Sequence, residues 1–269
     1  MMTVRSKDGT TIAYHASGSG PALIVVDGAL CSRAFGPSAK LAAAFRESFT
    51  VYTYDRRGRG QSSDAPRYST AREVEDLQAL IEAAGGSAAV LGLSSGAALA
   101  LEAAAAGSSI TSVVAYEPPY VHDADEGGGD YESQLREHLA AGRRGAAVAY
   151  FMNDMVGAPR AIVFVMRLMP WIWRKLEAAA PTLPYDAAVM SGFRVPRTRF
   201  ASIGVPALVM TGSKTDARLK DAARAVARTI PLAQHRELAG QTHNVNPRVL
   251  AAAAVEFLAV PGSATPAGR

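Results

Sequence analysis

Residues 88–106 read AAVLGLSSGAALALEAAAA, and this stretch decides the fold. Its first six residues form a nearly continuous apolar run, as expected of a strand buried on both faces by helices. Its last ten are rich in alanine and leucine, the strongest helix formers. Between them stands Gly92-Leu93-Ser94-Ser95-Gly96, a G-x-S-x-G pentapeptide in the strand-turn-helix setting that its chemistry requires. Glycines two residues to either side let strand and helix approach closely, so the serine projects its Oγ from a sharp turn. The amides that follow open the helix and can face a developing negative charge. Ser94 is therefore the candidate nucleophile. Read as ordinary structure, it would be an N-cap serine in a Gly/Ser turn.

Outward from this stretch, short β-rich runs alternate with longer helical ones. ALIVV (22–26), FTVYTY (49–54), SVVAYE (112–117), PALVMTG (206–212) and HRELAG (235–240) read as strands. Helical patterns lie at about 35–46, 70–84, 95–106, 217–229 and 246–259. At the start, Asp8-Gly9 predicts a two-residue hairpin between runs at about 2–6 and 10–16. The β-α alternation predicts an α/β fold, a mostly parallel eight-stranded sheet with helices on both faces. In such a sheet functional groups gather at the carboxyl ends of the strands.

Composition narrows the function classes. The chain has 269 residues, 49% hydrophobic and 19% charged, with a net charge of +4. These are values of an ordinary globular protein long enough to bury a core without staples, which excludes disordered and fibrous classes. The single cysteine, Cys31, excludes a disulfide framework and a cysteine-based zinc site and reads as packing. The cations are mostly arginine, 23 against five lysines, and scattered, so nucleic acid is not expected as a partner. Asp55-Arg56-Arg57-Gly58-Arg59-Gly60-Gln61-Ser62 looks like a basic patch but follows a buried strand and lacks aromatics for base stacking; it reads as a structural turn. The N-terminus has no apolar signal region, and no run approaches the roughly 18 apolar residues of a membrane span. A cytoplasmic protein without membrane partners is the expectation. The terminal residues 263–269 are expected to be disordered.

Of five histidines, His15, His122, His138 and His235 lie in the hairpin, a loop, a helical run and the last strand. His243, in Gly240-Gln241-Thr242-His243, follows the last strand and precedes the final helix. From that loop it can reach across the strand ends and take a proton from Ser94.

With VDGA after the third strand, DRRGRGQS after the fourth, GLSSG after the fifth, VPALVMTGSKTD near the seventh and GQTH after the eighth, the chain resembles the α/β-hydrolase superfamily. Within it, the SSG elbow, the DG segment and YEPPY look most like bacterial esterase and lactonase members, including relatives of zearalenone-lactone hydrolases. The resemblance implies a core of residues 1–120 and 204–262 and a helical cap at 121–203, inserted after the sixth strand. It leaves two candidates for the acid. Superfamily members usually carry it after the seventh strand, which points to Asp216 in GSKTD, although that segment has one residue more than the commoner G-x-x-D spacing. A minority, including the lactone hydrolases, carry it on the sixth strand, which points to Glu117. A lone carboxylate at the tip of an apolar run is costly unless paired, and Pro118-Pro119 should hold the backbone before it extended, so Glu117 is favoured. Asp216 has an ordinary alternative role as the cap of the helix that follows.

The same resemblance implies an oxyanion hole from the Ser95 amide and that of Gly28 or Ala29. Asp27 stands where many members carry histidine; it can shape the loop and is also a candidate substrate contact. In the cap, Met152, Met155, Met169 and Trp171 are candidates for roofing an apolar substrate, since flexible methionine adapts to irregular shapes. The expected activity is serine hydrolysis of a carboxylic ester or lactone through an acyl-enzyme, with no cofactor and no metal. A C–C hydrolase, perhydrolase or acyltransferase would use the same residues, and some proteins keep the fold for binding or cyclisation. The expected partner is a small ester or lactone, and a homodimer is compatible with the sequence.

Overall fold

The computed structural model describes residues 1–121 and 130–259; His122 and the 263–269 tail lie outside the described residues. Strands β1 (Met2–Arg5), β2 (Thr11–Gly18), β3 (Ala22–Val26), β4 (Thr50–Tyr54), β5 (Ala88–Leu93), β6 (Ile110–Tyr116), β7 (Ala207–Gly212) and β8 (Ala233–Leu238) form one sheet in the order β1-β2-β4-β3-β5-β6-β7-β8. The first two pairings are antiparallel and the remaining five parallel. The β1–β2 connection departs from the two-residue expectation. It spans residues 6–10, with Asp8 and Gly9 at its tip, because Ser6 and Thr10 close it through Ser6 N–H to Thr10 O at 2.8 Å.

The pleat sends alternate side chains of each parallel strand into two cores. Ile24, Val26, Val90, Val113, Ala115 and Val209 pack on one face against α2 (Thr70–Ala83), α3 (Ser95–Ala105) and α10 (Ala217–Thr229). Leu23, Val25, Leu91, Leu93, Val114 and Met210 pack on the other against α1 (Ser38–Phe45) and α11 (Pro247–Leu258). Burial on both faces is why these strands carry no polar alternation. Among the parallel strands only β8, at one sheet edge, is largely half-exposed, with the sequence AQHREL; the antiparallel edge strand β1 is exposed as well.

Between β6 and β7 the chain makes a helical excursion: α4 (Tyr131–Ala140), α5 (Arg144–Tyr150), α6 (Arg160–Arg167), α7 (Pro170–Ala179), α8 (Leu183–Val189) and α9 (Arg197–Phe200). A third apolar cluster, which includes Leu135, Phe151, Met155, Trp173 and Leu183, joins these helices to Leu30 in the loop after β3. The excursion therefore packs on the carboxyl ends of the strands. No helix among the described residues is long and apolar enough to cross a membrane.

Candidate active site

Leu93 at the end of β5 pairs with Tyr116 at the end of β6, so Ser94 and Glu117 leave the sheet side by side. Ser94 sits at φ 53°, ψ −123°, a conformation that costs a non-glycine residue roughly 1–3 kcal/mol and persists only where the surroundings impose it. The surroundings here are glycines. A Cβ on Gly96 would lie 2.2 Å from the Val26 carbonyl oxygen, and one on Gly92 would lie 2.3 Å from the Gly96 carbonyl oxygen. The Ser94 N–H donates to the Tyr116 carbonyl at 2.9 Å, locking the turn to β6.

Glu117 is also at positive φ, 50°. This corrects the expectation that Pro118-Pro119 would hold it extended: the backbone turns at the strand tip, and the carboxylate reaches partners from three other segments. Its Oε1 accepts from the Gly212 N–H at 2.9 Å and from the Thr215 hydroxyl, and its Oε2 meets His243 Nδ1 at 2.6 Å. Burial opposes its charge, but the bonds from His243, Gly212 and Thr215 outweigh that and hold its carboxyl below the ordinary range. The carboxylate is fully buried while the His243 side chain is half exposed. With Nδ1 occupied, His243 keeps Nε2 for another partner. The loop carrying it is tied to β6 as well, since the Tyr116 hydroxyl donates to the Thr242 carbonyl at 2.6 Å.

Asp216 lies elsewhere in this scheme. It is exposed and caps α10, its Oδ1 accepting from the Arg218 N–H at 2.9 Å and from Arg218 Nε at 3.1 Å. The structure brings Glu117, and not Asp216, to His243.

The loop after β3 flanks Ser94 on the other side. A Cβ on Gly28 would lie 3.3 Å from Ser94 Cβ, and Ser95 is buried at the first turn of α3. Asp27 is buried against the Ser38 hydroxyl, and its Oδ1 has no partner among the described residues. Burial, opposed by Ser38 and the nearby arginines, pushes its carboxyl up to about 6. Cys31 is likewise affected by burial, with its thiol pushed up to about 12, so it carries no reactive thiolate.

Beneath this loop lies a cluster that the sequence reading takes only as a structural turn. Arg56, Arg57 and Arg59 are all buried. Arg56 forms a bidentate pair with Glu73 at 2.7 Å, and Arg57 pairs with Asp76 at 2.7 Å and Asp8 at 3.0 Å. Arg59 pairs at 2.6 Å with Asp186 of α8, which also takes Arg56 at 2.7 Å. Asp186 and Thr215 are the site's two unforeseen members. The only signal for Asp186 is a carboxylate within LPYDAAV, and for Thr215 its place one residue before Asp216.

Of the residues expected to roof a substrate, Met155 is buried and Met152 half-buried in the third cluster, which also includes Ala29 and Leu30. Met169 is half-buried at the start of α7. Trp171 is 65% exposed, with the exposed Leu168 and Phe164 nearby in sequence.

An eight-stranded sheet with a serine elbow after β5 and a histidine after β8 defines a hydrolase fold class. The sequence matches the model of the alpha/beta hydrolase family over residues 15–254, and the chain belongs to that family. It is similar to an alpha/beta hydrolase from Sphaerobacter thermophilus at 49% identity and TM-score 0.89, over 96% of this chain and 100% of that one. A thermophilic esterase from Thermogutta terrifontis shares the fold at 20% identity and TM-score 0.72, over 96% and 97% of the two chains. The enol-lactonase from Burkholderia xenovorans does so at 19% identity and TM-score 0.67, over 96% and 100%. No curated protein matches the sequence.

Proposed function

We propose that the protein is a serine hydrolase that cleaves a carboxylic ester or lactone of a largely apolar substrate through an acyl-enzyme. The observation that carries this reading is the 2.6 Å contact of His243 Nδ1 with the buried carboxylate of Glu117, beside a serine held at φ 53°. Ser94 Oγ attacks the substrate carbonyl carbon while His243 Nε2 takes its proton. Glu117 fixes the histidine tautomer and stabilises the imidazolium. The amides of Ser95 and of Gly28 or Ala29 hold the oxyanion, a donor of this kind contributing roughly 2.7–4 kcal/mol in the transition state. Collapse breaks the C–O bond and His243 protonates the leaving alkoxide, which in a lactone stays attached to the acyl chain. Water then attacks the acyl-enzyme by the same route in reverse.

The helical excursion between β6 and β7 serves in this reading as a cap, and Met152, Met155 and Met169 are assigned to the acyl side of the substrate; Trp171, 65% exposed, would meet substrate only at the mouth. A fluorophosphonate probe with p-nitrophenyl esters as substrates tests the proposal. Labelling on Ser94, with loss of esterase activity in parallel, is expected. If folded protein left Ser94 unlabelled and the esters intact, the hydrolase reading would be abandoned. Comparing short-chain esters, long-chain esters and macrolactones then ranks the substrate class.

A further inference from the structure

We propose that Asp186, carried on α8 of the helical excursion, is a positioning residue that sets the geometry of the oxyanion hole; the proposal rests on the hydrolase reading above. Its carboxylate is fully buried and every contact it makes leads to the hole. Oδ1 accepts from the Ser95 hydroxyl at 2.8 Å and from Arg56 Nη1 at 2.7 Å, and Oδ2 accepts from Arg59 Nη2 at 2.6 Å. The two guanidinium groups carry the contact onward. Arg59 Nη1 donates to the Gly28 carbonyl at 2.8 Å, and Arg56 Nη1 reaches the Asp27 carbonyl at 3.5 Å. In a planar trans peptide the N–H points opposite to the C=O. Gripping the Gly28 carbonyl from the arginine side therefore turns the Ala29 N–H to the opposite side, and the longer contact at Asp27 does the same for the Gly28 N–H. The tighter grip favours Ala29 as the second donor. On the other half of the hole, Ser95 hangs from the same carboxylate by its hydroxyl, which orients the first residue of α3 and its amide.

The charge balance makes this anion hard to replace. Arg56 has Glu73 as a second, bidentate partner, whereas Arg59 has no other carboxylate within salt-bridge distance among the described residues. Its remaining partners are the Gly28 carbonyl and the Thr182 hydroxyl. Burial opposes ionisation of Asp186, and the two guanidiniums outweigh it. Removing its charge would leave Arg59 buried and uncompensated, and the cheapest relief is for its guanidinium to move, releasing Gly28. Because Asp186 and Thr182 both belong to the excursion, the position of those helices is coupled to the hole.

The test is Asp186→Asn, read by kcat and KM on the best p-nitrophenyl ester, by inhibition with a phenylboronic acid, and by fluorophosphonate titration of active enzyme. The boronate adduct on Ser94 places an oxygen in the hole. Per titrated site, kcat is expected to fall about 10- to 100-fold with KM changed less than about threefold, and boronate affinity to fall by a similar factor. Unchanged kcat and boronate affinity, or a loss accounted for by a lower titre, would overturn the proposal. Should Asp186→Asn fail to fold, Ser95→Ala decides. It removes the hydroxyl link and keeps the amide, and a several-fold fall in kcat and boronate affinity is expected; wild-type values would overturn the proposal. A wild-type enzyme that does not label on Ser94 sinks the hydrolase reading and this inference together. Normal wild-type labelling with a fully active Asp186→Asn sinks the inference alone.

Discussion

Ser94 and Glu117 stand at the ends of neighbouring parallel strands and share nearly the same backbone anomaly, φ 53° and φ 50°. They are held there by different forces. At Ser94 the constraint is steric: the turn closes so tightly that Cβ atoms on Gly92 or Gly96 would overlap backbone atoms at 2.3 and 2.2 Å. At Glu117 two prolines follow, and the turn is stabilised by bonds to its side chain from Gly212, Thr215 and His243. The first turn carries its glycines within five residues, Gly92 closing on Gly96 itself and Gly96 on the Val26 carbonyl of neighbouring β3. The second is assembled by tertiary contacts and depends on β7 and the loop after β8 being in place.

On the proposed mechanism, the comparison is broken most decisively through activity. Ser94→Ala is expected to lower kcat by about 10⁶-fold, since removal of a nucleophile of this kind leaves only binding and oxyanion stabilisation. Glu117→Gln keeps the shape but loses the charge that orients His243, and a loss of about 10⁴-fold is expected. Asp216→Asn, at an exposed helix cap, should stay within about twofold of wild type in kcat and cost stability by no more than about 1 kcal/mol. If instead the Asp216 variant were inactive and the Glu117 variant active, the acid would have been misassigned; steady-state kinetics on one ester suffices to tell.

Stability separates the two turns next. Gly96→Ala forces a methyl group against the carbonyls of Val26 and Asp27, and neither is a flexible side-chain end. A loss of about 1–3 kcal/mol or failure to fold is expected in urea unfolding. Pro118 is buried, so Pro118→Ala deletes two buried ring methylenes and frees the unfolded chain, and a loss of about 1–2 kcal/mol is expected in the same measurement.

This difference in forces explains how far the sequence could be read. The parallel strands and the helices α2, α3, α10 and α11 were legible because double burial and helical periodicity are local signals, and the G-x-S-x-G turn carries its own glycines. Glu117 was legible as a carboxylate that needed a partner, but not its left-handed backbone, because proline's local preference pointed the other way and three distant bonds overrode it. Asp186 was not legible at all. Its meaning comes from two arginines about 130 residues earlier, and nothing near Leu183-Pro184-Tyr185 signals that a charge there will be buried. Arg56 and Arg59 read as a structural turn from their place after a buried strand, and nothing in that stretch signals that they hold the carbonyls of Asp27 and Gly28.

A third carboxylate sharpens the electrostatic side of the comparison. Asp27 is buried like Glu117 but has an oxygen without a partner among the described residues, and burial raises its carboxyl to about 6 from the ordinary 3.8. The folded protein therefore binds this proton more tightly than the unfolded chain does. Stability is lost as pH rises from about 4 to about 6, and the penalty is constant above that, amounting to at most about 3 kcal/mol. Asp27→Asn removes the charge and should be more stable than wild type at pH 8, with the difference vanishing near pH 3. Urea unfolding at the two pH values measures it, and a gain that did not depend on pH would place the effect in packing instead.

The smallest effect is the most specific to Glu117. Thr215→Val deletes one donor to Oε1 and leaves the Gly212 N–H and His243 in place. Losing one bond to a charged group is worth about 1.5–3 kcal/mol at most, and less here because two partners remain. The sign follows from the direction of the shift. Glu117 is held below the ordinary carboxylate range, so its bonds add stability above the unfolded value near 4.5 and lose it as pH falls through the lower folded value. In the valine variant the folded value moves back up, so the variant should be less stable than wild type at pH 7 and the two should converge at pH 2. If the turn at Glu117 is held by these bonds, kcat should fall as well, by about tenfold, because a looser carboxylate orients His243 less well. A variant that loses stability at pH 7 but keeps full kcat would separate the two duties of Glu117, showing that the Thr215 bond stabilises the charge without aiming the histidine.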